Sequence, residues 1–379
     1  MKILIAPDSF KGSLTSVEAS RVINQAILDM DPTIETVQIP MADGGEGTVA
    51  AVLWNQDGKQ VSCRVHDPLG REIEAMYGWM EHEKTAIIEM AAASGLPLLD
   101  PAELDPQKAS SYGTGELIKD ALDKGAETII LGLGGSATVD AGSGLFQALG
   151  VRFLGADLNE ISWIGGLLDR ISAMDLSGLD RRLTAVRFIV AGDVTNPLLG
   201  KEGAIAVFGP QKGVGKDKLA FFEQGMRHFS ELAAQETGRA MADAPGSGAA
   251  GGAGFLLRTI LEVDFRSGLE LMVELAGLEE QLEATDLILT AEGRIDGQTF
   301  FGKVPVGIGR IAKKQGVPVI AFAGSLGPGT EKLEEAGIGA VMPIAEGPLS
   351  LSDAMKNSGD LLYNATTRLM KILEIGRGI

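Results

Sequence analysis

Residues 2–6 (KILIA) form a short unbroken apolar run rich in isoleucine, the pattern of a strand buried on both faces of a parallel sheet. Residues 7–13 interrupt it. Thr15 and Glu18 then stand at capping-box spacing, and Val17, Ala19, Val22, Ile23, Ala26 and Ile27 recur at helical intervals, so strand, loop and helix follow in order. The rhythm repeats with a strand at 36–41, a loop at 42–47 (ADGGEG) and a helix at 48–53. Between 58 and 90 the period shortens to two. Segments 60–66 and 72–79 alternate around the turn signal Asp67-Pro68-Leu69-Gly70, which predicts an antiparallel hairpin. A strand at 85–90, a helix at 115–123, strands at 128–133 and 186–191 and an amphipathic helix at 218–235 follow. After Asp286 the opening rhythm returns in LILTAEG, VPVIAFAG and AVMPIAEG, apolar runs ending in glycine that predict three more parallel strands.

The two ends of the chain therefore share a pattern that the middle lacks. The architecture this predicts is α/β with two domains. Residues 1–60 and 285–379 form an open parallel-sheet domain, Rossmann- or flavodoxin-like, and residues 61–284 are inserted as a second α/β domain, with the active site in the cleft between them. A plain division near Ala240 is the rival.

Composition narrows the function classes. The chain has 379 residues and a formal net charge of −18, which repels phosphate backbones and argues against sequence-wide binding to nucleic acid or an anionic membrane. An anionic ligand has to be caught locally. One cysteine, Cys63, forbids an internal disulfide, and three scattered histidines (His66, His82 and His228) give no zinc spacing. The N-terminal apolar run is too short for a signal-peptide core, and no stretch approaches the ~20 apolar residues of a membrane span, so a cytoplasmic protein is expected. Glycine is in surplus, 51 of 379 residues.

Much of that glycine sits beside acids in loops that follow strands, where open α/β sheets bind their ligands. The loops are Asp8 to Ser13, Asp43 to Gly47, Gly134 to Asp140, Gly192 to Asn196, Glu292 to Gly297 and Glu346-Gly347. Glycine lets the backbone approach a ligand and present N–H groups to an anion, while carboxylates hold Mg2+ or accept a proton. Phosphoryl transfer needs both. A lone Glu346-Gly347 reads better as a turn, whereas Lys11, between Asp8 and Gly12, suits a phosphate or carboxylate contact. Two near motifs need weighing. Gly132-Leu133-Gly134-Gly135-Ser136-Ala137 formally matches the dinucleotide fingerprint, but Asp140, Gly142 and Gly144 prolong the loop, which reads better as a phosphate cradle ahead of a helix from about Ser143. The segment 297–304 misses the Walker pattern because Val304 replaces the magnesium-binding hydroxyl, although Lys303 can still reach a phosphate. No G-x-S-x-G elbow occurs, and the histidines and Trp54, Trp79 and Trp163 read as surface or packing residues.

Taken together, APDSFKGSLT, MADGGEGT, GLGGSATVDAGSG, AGDVTNPLLG, PGSGAAGG and AEGRIDGQT are similar to a known set. On these segments the chain resembles the bacterial class I glycerate kinases, and with the C-terminal strands the resemblance covers nearly its whole length. It implies ATP- and Mg2+-dependent phosphorylation of D-glycerate to 2-phosphoglycerate, on two α/β domains with the second inserted into the first. Two positions depart from the pattern. Val139 stands where asparagine is common and Thr195 where aspartate is common, so neither gains weight as an acid or ligand, while Asp140 and Asp193 keep theirs.

Residue chemistry, loop placement and the resemblance together assign expected roles. Asp296 is the base that orients the substrate hydroxyl, and Arg294 meets the glycerate carboxylate or the moving phosphate. Ser9 and Lys11 contact substrate or phosphate, and Asp43 and Gly44 form the site floor. Gly134, Gly135, Ser136, Ala137 and Thr138, with Asp140, hold the ATP phosphates, and Asp193 followed by Asp8 holds Mg2+. The rivals are a nicotinamide-dependent oxidoreductase using Gly132, Gly134, Ala137 and Asp157, a kinase giving 3-phosphoglycerate, and a non-catalytic binder. Homo-oligomerisation is left open.

Overall fold

In the computed structural model, which describes residues 1–297 and 303–377, the opening run becomes β1 (Lys2–Ile5), with Ile3, Leu4 and Ile5 fully buried. The helix Ser16–Met30 follows and starts on the expected capping box. Thr15 Oγ1 accepts the Glu18 N–H at 3.1 Å and Glu18 Oε2 accepts the Thr15 N–H at 2.9 Å. After β2 (Glu35–Gln38) the chain builds the hairpin of β3 (Lys59–His66) and β4 (Glu72–Met80). Asp67 closes its turn, one oxygen accepting from Leu69 N and Arg71 N, each at 2.9 Å. Then come β5 (Thr85–Glu89), β6 (Thr128–Gly132), the small ribbon of β7 (Arg152–Leu154) and β8 (Ala173–Asp175), β9 (Arg187–Ala191) and β10 (Val263–Arg266). The last three strands are β11 (Leu287–Ile295), β12 (Val319–Leu326) and β13 (Ile338–Pro343).

Two main sheets result. The first runs β2-β1-β11-β12-β13, every neighbouring pair parallel. Its strand order reverses between β1 and β11, as in flavodoxin-like folds, and such sheets bind ligands at the carboxyl ends of the strands beside the reversal. The second runs β10-β9-β6-β5-β4-β3, parallel through β5 and antiparallel across the hairpin.

The chain divides into two compact units. The first comprises Met1–Asp43, Ala50–Asp57 and Leu269–Ile379, and the second Gly44–Val49 and Gly58–Gly268. The late segment thus joins the first unit at Leu269, earlier than the 285 expected from sequence. Leu269 fills a notch on the helix Val304–Gln315, where a Cβ on Gly307 would meet Leu269 Cδ2 at 1.8 Å. Residues 44–49 belong to the second unit because glycine packs on glycine there. A Cβ on Gly132 would meet Gly44 O at 2.4 Å, and one on Gly134 would meet Gly45 Cα at 2.5 Å. Each unit has its own core. Ile3, Ile23, Leu289 and Phe322 anchor the first, and Tyr77, Phe146, Phe229 and Phe255 the second.

Candidate active site

In the first unit, Asp8 N donates to Ala291 O at 2.8 Å, extending the pairing of β1 with β11 past the strand end. The chain then turns tightly. Phe10 and Leu14 exchange two backbone hydrogen bonds (2.8 and 3.1 Å), and Gly12 takes φ +75°, a left-handed conformation that favours glycine. Ser13 Oγ bonds to Met355 O at 2.9 Å and Ser358 Oγ at 2.5 Å, fixing the loop while Lys11 stands exposed on it.

Asp8 is 7% exposed. Burial, reinforced by the negative charge of Asp43 and then Glu292, pushes its carboxyl up to about 7, against the Ser9 N–H (2.6 Å) and the Lys11 cation. Burial likewise raises Glu292, and Lys303, with Nζ at 2.5 Å from Oε1, works against it. The other oxygen, Glu292 Oε2, is buried with no hydrogen-bond partner among the described residues. Close carboxylates with such an oxygen among them fit a divalent cation. The described residues contain no cluster of three or more ready-made metal ligands; Mg2+ usually takes one or two carboxylates and fills its shell with phosphates and water.

At the end of β11, Arg294 Nε donates to Asp296 Oδ2 at 2.9 Å. The two sit at i and i+2 on an extended chain, hence on one face. Lys303 immediately precedes the helix Val304–Gln315, with Pro305 in its first turn. Gln298, Thr299, Phe300, Phe301 and Gly302 of the near-Walker segment lie outside the described residues. A pocket of about 370 Å³ at these strand ends is lined by Ser9, Lys11, Glu292, Arg294 and Lys303. The structure therefore brings together the expected Ser9, Lys11 and Arg294, adds Glu292 and Lys303 to them, and holds Asp8 and Asp296 against them through Ser9 N and Arg294 Nε. Asp43 belongs to the same unit and acts electrostatically on Asp8.

The glycine loop of the second unit differs from its expected form. Asp140 is fully buried. Its Oδ2 accepts from Ser111 N (2.7 Å), Ser111 Oγ (2.7 Å) and Gly144 N (3.2 Å), and its Oδ1 from Gly142 N (3.1 Å). Burial raises its carboxyl while those donors hold it down. The carboxylate anchors the loop through four protein donors, a structural role that the expected contact with nucleotide did not include. Ala137 and Thr138 are buried as well. Beneath them lies Lys212, 2% exposed, whose Nζ donates to Ser136 Oγ (2.7 Å) and Thr138 O (2.9 Å). Burial pushes its ammonium down to about 7, partly offset by Asp140. Only Gly135 is exposed in this stretch, with Gly134 half-buried. The glycine-dense segment 245–254 packs against the same loop. A Cβ on Gly251 would meet Thr138 O at 1.9 Å, and Gly251 O accepts from Ala141 N at 3.1 Å. Sequence reasoning missed Lys212, because Gly-Pro-Gln-Lys-Gly reads as a solvated turn.

Two further residues expected in the site have settled partners. Gly44 (φ +83°) lies against β9, where a Cβ would meet Ala191 Cβ at 3.1 Å. Asp193 Oδ1 accepts from Ser267 Oγ (2.7 Å) and Gly268 N (3.1 Å). Asp157 is exposed and binds Asn159 in its own turn. His66 pairs with Glu116 (3.0 Å), His228 Nε2 meets Ile171 O (2.7 Å), and Glu346 forms a surface pair with Arg368. None of the described helices is long and apolar enough to cross a membrane.

The model of the glycerate kinase family matches residues 3–374. The chain belongs to the glycerate kinase family. Members of the family are phosphotransferases acting on glycerate, and this chain is 44% identical over 377 residues to the glycerate kinase of Bacillus subtilis (strain 168), covering 100% of this chain and 99% of that one. It is 42% identical over 376 residues to the glycerate 2-kinase of Escherichia coli (strain K12), covering 99% of each. The crystal structure of a protein described as glycerate kinase 2 from Salmonella typhimurium LT2 superimposes with a TM-score of 0.86 at 43% identity, over the full length of both chains. Family membership sets the nicotinamide reading aside. Gly132 and Gly134 are small because the loop at Gly44 and Gly45 crosses them.

Proposed function

We propose that the protein transfers the γ-phosphoryl group of ATP, with Mg2+, to the 2-hydroxyl of D-glycerate, forming 2-phosphoglycerate and ADP. One observation carries the reading. Lys11, Arg294 and Lys303 converge on a pocket beside the strand-order reversal, next to the buried carboxylates Asp8 and Glu292. Cations there hold phosphate and carboxylate oxygens. The E. coli relative's name, glycerate 2-kinase, supports the 2-hydroxyl as acceptor.

Asp8 and Glu292, with Asp43 acting on them, would hold Mg2+, and that ion, when bound, screens the triphosphate charge. Arg294 orients the glycerate carboxylate or the transferring group by a forked contact. Asp296, kept in place by Arg294, takes the hydroxyl proton as the glycerate oxygen attacks phosphorus and the bond to ADP breaks. Catalysis of this kind rests on positioning and charge rather than on covalent chemistry with the protein.

The reading is tested by ADP formation in ATP, Mg2+ and D-glycerate. ADP that depends on glycerate supports it, whereas nucleotide binding without glycerate-dependent ADP would make the protein a silent binder.

A further inference from the structure

Resting on that reading, we infer that the nucleoside of ATP is seated in the first unit, in the 370 Å³ pocket, with its base against Ile344, Met355 and Leu361 and its phosphates toward Lys11, Arg294 and Lys303. This departs from the placement that glycine spacing suggests, on the loop Gly134 to Thr138.

Three observations point the same way. First, the pocket lining is of two chemical kinds. Beside its cations the lining includes the apolar side chains Phe10, Ile344, Leu351, Ala354, Met355 and Leu361. A three-carbon hydroxy acid has no apolar surface to cover, while a purine does, and about 370 Å³ falls within the ~300–1,000 Å³ of small-molecule sites. Second, the two kinds of lining are one construction. Ser13 Oγ, beside the Lys11 loop, bonds to Met355 O and to Ser358 Oγ, so the helix Leu351–Lys356 that bears part of the apolar lining is tied to the loop that bears the cation. The lining also includes bare backbone. Gly293 and Gly324 lie between the register pairs Glu292–Ala323 and Arg294–Ser325, and a Cβ on Gly324 would meet Gly293 O at 2.5 Å. Third, part of the rival loop is committed elsewhere. Lys212 holds Ser136 and Thr138 from within, and Ala137 is buried.

Photoaffinity labelling of the intact protein with 8-azido-ATP, followed by tryptic mapping, tests the assignment. ATP-protectable label should fall in the peptide 333–356, which carries Ile344 and Met355. In parallel, Ala354→Trp, which adds bulk among the apolar lining, should raise the KM for ATP by about tenfold or more while the KM for D-glycerate and the far-UV spectrum stay as in the parent. Protectable label in the peptide 125–152, with glycerate-dependent ADP still formed, would overturn the pocket assignment and leave the kinase reading standing. No protectable label and no glycerate-dependent ADP would overturn both.

Discussion

Lys212 Nζ lies 2.7 Å from Ser136 Oγ and 2.9 Å from Thr138 O, a buried cation that holds from below the loop glycine spacing marks as a phosphate cradle. Hydrogen bonds to a charged group contribute about 1.5–3 kcal/mol each, and their loss strands buried acceptors. Lys212→Met should therefore destabilise the protein by about 2–4 kcal/mol, read by denaturant unfolding. Unchanged stability would show that the loop is held by its backbone packing alone.

Asp140 and Asp296 give opposite expectations from the same substitution. Asp140→Asn places an amide N–H₂ among the donors Ser111 N, Ser111 Oγ and Gly144 N, so unfolding should come about 2–4 kcal/mol earlier. Asp296→Asn should leave stability near that of the parent and lower kcat by about 10²–10⁴. Near-normal turnover in Asp296→Asn would remove Asp296 from the role of base.

Strand and loop order was legible because the apolar runs 2–6, 85–90 and 128–133 are long enough to fix buried strands, and the turn at Asp67 has its own chemistry. The strands β7, β8 and β10 were not, since Arg152–Leu154, Ala173–Asp175 and Val263–Arg266 each mix charged with apolar residues and form no apolar run. Lys212 was hidden for a different reason. A lysine is drawn into a core by carbonyl and hydroxyl groups from a distant segment, here Thr138 and Ser136, and no local pattern reports that. The same holds for Glu292 with Lys303, separated in sequence and joined at 2.5 Å. Asp140 was legible as important but not as structural, because an acid beside glycine looks alike in a ligand loop and in a buried anchor.

The elevated Asp8 carboxyl sets a pH dependence. Its folded pKa, about 7, lies above the ordinary 3.8, so the native state keeps a proton that the unfolded chain gives up. The associated stability is full below pH ~4 and is lost as pH rises through about 7. Without Mg2+, the stability of Asp8→Asn relative to the parent should rise between pH 5 and pH 8 by urea titration at each pH. A difference, variant minus parent, that stays constant or falls would contradict the electrostatic picture of this cluster.

Asp8→Asn also tests the metal. With one carboxylate of the pair neutral, half-saturation by Mg2+ should move to concentrations about tenfold higher or more in the glycerate-dependent ADP assay. Unaltered metal dependence would shift the ligand to Asp193 in the second unit.

The central claim is the transfer of phosphate from ATP to the 2-hydroxyl of D-glycerate. Incubation with ATP, Mg2+ and D-glycerate, followed by enolase in the absence of any mutase, reads the acceptor position. Immediate phosphoenolpyruvate in proportion to ADP is the expected result. ADP without phosphoenolpyruvate would mean the 3-isomer, and no glycerate-dependent ADP at all would contradict the proposed reaction.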